Sequence, residues 1–259
     1  MEKLPANSGW LWIKQGFGLF IKQPGALITL ILLYGLFNMV VGIVPVLGQI
    51  ALVLLVPVFS TAFAQACANI EQGQRVTPGL LFTGFRKPIL PRLMTLGLLY
   101  MIVALLAMGL SSLVDDGMLL KLMTGQVNPN ADAVRDANIG TAFLVAIAVC
   151  IPAAMGFCFA APLIYWQNLS VGKAVFFSFF AVQRSLLAFI VFGISLFSIS
   201  MIAIQCVLLV FGRTQLAMSM LLPLSMLLSV QMHCAFYASY RHIFGAPYEQ
   251  AKPAVPEQE

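Results

Sequence analysis

The chain is poor in charge. Of its 259 residues only 9% are Asp, Glu, Lys or Arg, against about 25% in soluble domains. Such a polypeptide cannot clothe a water-facing surface, so lipid must cover it. Histidine is scarce too, with two in the chain. The five cysteines, Cys67, Cys150, Cys158, Cys206 and Cys234, contain no C-x-x-C pair and all lie in apolar stretches. An odd, scattered set of this kind argues against a disulfide framework or a zinc site and reads as small packing residues. There is no Gly-x-x-x-Gly. The first long apolar run begins after Pro24 and lacks a small-residue cleavage pattern, so it is expected to remain as a span rather than leave as a signal peptide.

What is present is hydrophobicity, at 61% of residues and a mean hydropathy of +0.96. A hydrocarbon core of about 30 Å needs roughly 20 apolar residues in a helix. Runs near 26–47, 48–69, 93–114, 140–167, 186–211 and 215–239 meet that length. They predict an all-α polytopic membrane protein, with six transmembrane helices arranged as three hairpins. Residues 1–25 form an interfacial amphipathic segment, 26–239 the membrane domain and 240–259 a disordered cytoplasmic tail. Val44-Pro45-Val46-Leu47-Gly48 supplies the Pro and Gly that end the first span. The loop 115–139 reads as polar and external, with its acids solvated.

Charge sets the orientation. With the N-terminus inside, eleven Lys and Arg residues lie inside and three outside: Lys121, Arg135 and Arg213. This positive-inside bias predicts that both termini are cytoplasmic. The net charge of +5 is then a topology signal that also suits anionic headgroups, and no nucleic-acid partner is implied.

A unit recurs three times. Phe17, Phe20 and Lys22, then Phe82, Phe85 and Arg86, then Phe177, Phe180 and Arg184 each precede the first helix of a hairpin. Pro57, Gln65 and Arg75 share the spacing of Pro223, Gln231 and Arg241, while the middle unit offers Pro162 and Lys173 at a different distance. Over 9–23, Lys14, Gly18, Lys22 and Gln15 fall within one helical arc of roughly 100°, and most of the rest is apolar. That pattern suits a helix at headgroup depth, with Trp10 and Trp12 in the aromatic belt. Thr77-Pro78 and Ser170 could start similar helices over 78–87 and 171–184. Trp10, Trp12, Lys14, Lys22, Arg86, Lys87 and Arg184 are the expected interfacial anchors.

Chemistry-bearing residues are few. No Asp, Glu, Lys or Arg falls inside a predicted span, although ion-coupled transporters usually carry such a group. His233 is the exception in kind, and reads either as a packing histidine or as part of a polar path with Asn38, Gln65 and Gln231. The same amides serve equally as interhelical hydrogen-bonders. Gly109-Leu110-Ser111-Ser112 is similar to the Gly-x-Ser of intramembrane serine proteases. Ser111, however, belongs at the outer end of its span and His233 towards the inner end of the sixth, beyond hydrogen-bond reach. Small residues recur every fourth position at Ala142, Ala146, Cys150, Ala154 and Cys158, and at Ser60, Ala64 and Ala68. They predict ridges for close helix packing. Pro57, Pro152, Pro162 and Pro223 are expected to kink the second helices of the hairpins.

GW-x-WIKQGF-x-LF at 9–20, Pro24-Gly25 and QAC-x-x-IEQGQRVTPGLLF-x-GFR at 65–86 resemble an uncharacterised family of bacterial inner-membrane proteins with six spans. A more distant likeness is to the membrane domains of some glycerophosphodiester phosphodiesterases, which also place amphipathic segments before paired spans. The resemblance covers about residues 9–245 and implies a multi-pass protein of the bacterial inner membrane, with no catalytic residue and no cofactor. The expectation is a non-enzymatic membrane module that interacts with lipid or a partner protein, with homo-oligomerisation left open. A permease or exporter of a small uncharged or lipid-like solute is the alternative, and a membrane enzyme comes third. A permease requires a polar cavity at mid-depth, whereas a scaffold requires a closed, Ala- and Phe-packed interior.

Overall fold

The computed structural model describes residues 4–124, 126, 138–212 and 214–247. All regular structure among them is helical: α1 (Ser8–Lys22), α2 (Pro24–Gly42), α3 (Leu47–Glu71), a 3-10 helix (Pro78–Phe85), α4 (Ile89–Asp115), α5 (Met118–Met123), α6 (Ile139–Phe157), α7 (Ala160–Gln167), α8 (Val171–Arg184), α9 (Leu186–Phe211) and α10 (Gln215–Phe244). Six segments are long and apolar enough to cross a membrane, namely α2, α3, α4, α6 with α7, α9 and α10. The protein is therefore an all-α polytopic membrane protein. Asn128, Asn130, Asp132, Arg135, Asp136, Arg213 and the tail beyond Pro247 lie outside the described residues.

The ends of the spans follow local chemistry. Pro24 occupies the first turn of α2, where its missing N–H is no loss. α2 stops at Gly42, before the expected 47, and Gly48 lies inside α3 instead of ending α2. A Cβ on Gly48 would lie 2.1 Å from the carbonyl oxygen of Val41, so only glycine lets the two helices approach this closely. The expected helix over 78–87 is a 3-10 helix, and neither Thr77 nor Ser170 makes a side-chain cap. α10 continues past 239 to Phe244, carrying Arg241 and His242 on the same rod. Asp115 departs from the solvated reading. It is buried and accepts hydrogen bonds from the N–H groups of Gly117 (3.0 Å) and Leu119 (2.6 Å), which satisfies the start of α5.

Proline acts differently in different spans. Pro57 and Pro223 lie within unbroken helices. The fourth span breaks between Phe157 and Ala160, with Pro162 in the first turn after the break. Backbone groups freed at membrane depth need partners, and α8 provides one. The buried Ser178 Oγ accepts from the Phe159 N–H at 2.9 Å and donates to the Met155 carbonyl at 2.8 Å.

The three amphipathic segments are distributed cyclically. The 3-10 helix packs chiefly on the α2–α3 hairpin, α8 on α6 and α7, and α1 on the α9–α10 hairpin. Each thus leans on the hairpin of the preceding unit, and α1 closes the ring. The closeness of this last contact comes from two glycines two turns apart. A Cβ on Gly9 would meet the Ala188 oxygen at 2.2 Å, and one on Gly16 would meet the Ala235 nitrogen at 2.6 Å. Small residues permit such backbone approach in lipid, where packing supplies the attraction.

Candidate functional site

The end of the bundle that holds α1 and the C-terminal end of α10 is held by polar contacts. Glu71, at the end of α3, pairs with Arg241 of α10. Its other oxygen accepts from the Tyr237 hydroxyl at 2.6 Å, and Arg241 also donates to Gln15 of α1 at 3.2 Å. Trp12 donates its indole N–H to Nδ1 of His242 at 3.0 Å. Beside this clasp lies a notch of about 180 Å³ lined by Gln15, Gly18, Lys22, Glu71 and Arg241.

Trp12 is a correction. It is fully buried among Phe189, Phe192 and His242 and is not a belt residue. α1 has three sides, not two. Trp12, Ile13, Gly16 and Leu19 face the bundle. Trp10, Phe17 and Ile21 form an exposed apolar strip, and Lys14, Gln15, Gly18 and Lys22 an exposed polar one. Of the other expected anchors, Trp10 is 42% exposed, with the Lys14 Nζ 5.7 Å from its ring centroid. Lys14, Lys22, Arg86, Lys87 and Arg184 are exposed. Lys22, Lys87 and Arg184 each lie just before the span that follows.

The expected polar path is not assembled. Asn38 donates back to the Tyr34 carbonyl of its own helix at 2.7 Å. Gln65 donates to Asn69 at 2.8 Å and accepts from the Trp166 indole at 2.9 Å. Gln231 donates to the Ile13 carbonyl at 2.9 Å, tying α10 to α1. Each amide serves helix packing because its partner lies within its own reach. Of the four, His233 borders a large cavity, and it is stacked on Phe63 at 4.3 Å between centroids and 5° between planes.

That cavity has a volume of about 470 Å³. It lies among the second helices of all three hairpins and α4, beside the break at Cys158. Its wall is made mainly of small residues (Ser60, Ala64, Cys150, Ala153 and Ala154) and aromatic ones, including Tyr100, Phe157, Trp166, Phe236 and Tyr240, with Val103, Pro162 and Met232 among them. No Asp, Glu, Lys or Arg lines it. Ala104, Cys150, Ala154 and Met232 of the lining are exposed. All four lie well inside spanning helices, which puts the mouth of the cavity at the depth of the spans.

The small-residue ridges were expected to be packing surfaces. Ala142 is buried, as expected of one, but Cys150, Ala154 and Cys158, with Ser60 and Ala64 opposite, line the cavity. The aromatic wall was not legible as a unit, since its members come from three spans. The signal that could have found it is the density of Trp and Tyr near the C-terminal ends of the second helices, at Tyr165-Trp166 and Tyr237 to Tyr240. Cys67 and Cys234 also meet, with their Sγ atoms 3.5 Å apart and both side chains buried. Among the described residues no three His, Cys, Asp or Glu side chains converge as metal ligands.

No family model matches the chain, and no solved structure matches it. A probable inner membrane protein of Burkholderia thailandensis is 35% identical over 262 residues, covering 98% of this chain and 97% of the relative. With identity of that level running through all six spans, the chain belongs to the same family of multi-pass membrane proteins as that probable inner membrane protein.

Proposed function

We propose that this protein is a non-enzymatic inner-membrane module that takes the apolar part of a lipid-like molecule from the bilayer into its intramembrane cavity. The observation that carries this reading is the lateral mouth. The exposed lining residues Ala104, Cys150, Ala154 and Met232 all lie on spanning helices, so an occupant reaches the cavity through hydrocarbon. A concave, mainly apolar site of this size is typical of small-ligand pockets. The exposed basic residues Lys14, Lys22, Arg86, Lys87 and Arg184 suit anionic headgroups at the surrounding interface. The abundance of basic residues at the end of the bundle that holds α1 supports a cytoplasmic placement of that end, and the name of the relative supports the inner membrane.

Photolabelling tests the proposal. A phospholipid with a diazirine in its acyl chain, reconstituted with the protein in phosphatidylethanolamine and phosphatidylglycerol vesicles, should label the lining stretches around Ala154 and Met232. Ala154→Trp, which fills the mouth, should abolish that labelling and leave labelling of α9 unchanged. Equal labelling in both proteins would refute the proposal. The alternative, a permease for a lipid-like solute, uses the same cavity and adds flux, which vesicle transport of the labelled molecule would reveal.

A further inference from the structure

The lining of the cavity says more about its occupant than its volume does. A groove for an acyl chain is expected to be walled by branched aliphatic side chains. Val103 is the one branched aliphatic residue of this lining, with neither leucine nor isoleucine beside it, although the chain is rich in both. Rings take their place. Tyr100 and Phe157 stack at 4.4 Å and 30°. Trp166 and Tyr240 lie 4.8 Å apart. Flat faces of this kind prefer another flat ring, in offset or edge-on contact.

His233 adds a polar requirement. One face of its imidazole is covered by Phe63, and the residue lines the cavity. Its ring nitrogens make no hydrogen bond with any described residue, unlike Trp166, whose N–H is taken by Gln65. A polar group without a partner at membrane depth is costly, and a ligand atom in the cavity would satisfy it. The absence of any charged side chain from the lining disfavours an ionic headgroup inside, because no counter-charge would replace its hydration.

Building on the reading of the cavity as a lipid-side site, we infer that it recognises a neutral amphiphile with a planar ring and a hydrogen-bonding oxygen on that ring. This is the chemistry of a quinone or phenol bearing an apolar tail. The ring lies among the aromatic side chains near Tyr100, Trp166 and Tyr240, its oxygen accepts from or donates to His233, and its tail leaves through the mouth at Ala154 and Met232.

The test uses the full chain in vesicles of the same composition. Decyl-substituted benzoquinone is the competitor, and an azido-benzoquinone with the same tail is the photolabel. The azido-quinone should mark peptides containing Trp166 or His233, and unlabelled decyl-benzoquinone should suppress the marking. His233→Leu should weaken that competition at least tenfold. His233→Gln, which keeps a hydrogen-bonding edge, should retain most of it. Size-exclusion behaviour and thermal stability of both variants report whether the fold survives. If the diazirine phospholipid labels the cavity but the quinone neither labels it nor competes, the ring inference is overturned while the lipid-side cavity stands. If neither probe enters, both fall. Quinone labelling that is equal in His233→Leu and the parent protein also overturns the role given to His233.

Discussion

Along α10 the molecule changes character near its midpoint. Before Val230 the helix buries only Ala217, whereas from Val230 to Tyr240 it buries Val230, Cys234, Ala235, Tyr237, Ala238, Ser239 and Tyr240. α3 mirrors this, burying Gly48 before Pro57 and most of its residues after it. α9 buries only Ala188 and Phe192, both beside α1. One half of the protein is packed like an interior, and the other is a set of helices whose side chains meet lipid. The amphipathic segments explain the difference. α1, the 3-10 helix and α8 all insert at one end and fill the gaps between hairpins there; at the other end, among the described residues, the short α5 packs on α4 and α6 in their place. The cavity lies where the filled half gives way to the open one.

The contrast can be broken most severely at Trp12. Trp12→Ala should remove a buried ring and its bond to His242, destabilising the protein by about 3–5 kcal/mol. Trp10→Ala, four-tenths exposed on the same helix, should change stability by less than about 1 kcal/mol. Thermal unfolding in detergent compares them, and equal losses would mean that α1 is not wedged into the bundle. Next in size is Gly16→Ala, whose Cβ would press on the Ala235 backbone at 2.6 Å. It should cost about 1–3 kcal/mol by overpacking. Glu71→Gln should follow at roughly 1–3 kcal/mol, through loss of the Arg241 pair and a weakened bond from Tyr237. Arg241→Gln in that background should add little, because the two residues share one interaction. The smallest effect, with the opposite sign, is expected at Gly109→Ala. No atom lies within 4 Å of the added Cβ, so the variant should gain about 0.5–1 kcal/mol of helix preference.

The spans were legible because their length and apolarity are imposed by the bilayer, and those properties are written locally. The amphipathic segments were legible in the same way. What α1 does with its apolar residues was not. Lipid tails and a protein interior are equally apolar to a side chain, so hydropathy separates Lys14 and Lys22 from Trp10 and Trp12 but cannot separate Trp10 from Trp12. Gly9 and Gly16, two turns apart, were the available sign that this side meets another helix. The candidate path failed for a related reason. It collected polar residues by depth, whereas Gln65 and Gln231 found partners on neighbouring elements and left the cavity to aromatic and small side chains. A row of small residues is also ambiguous by itself. It permits close approach, as at Ala142, or leaves a space where no helix approaches, as at Cys150 and Ala154.

The central claim is that the cavity communicates with lipid and not with water. A nitroxide on Cys150, with the other four cysteines replaced by alanine, reports this in vesicles through collisions with oxygen and with a water-soluble nickel chelate. Ile194→Cys on the exposed side of α9 provides the lipid reference, and Lys14→Cys the aqueous one. The account predicts that a label at Cys150 behaves like one at position 194, accessible to oxygen and closed to nickel. Nickel access at Cys150 approaching that at position 14 would contradict it and would make the cavity part of an aqueous path.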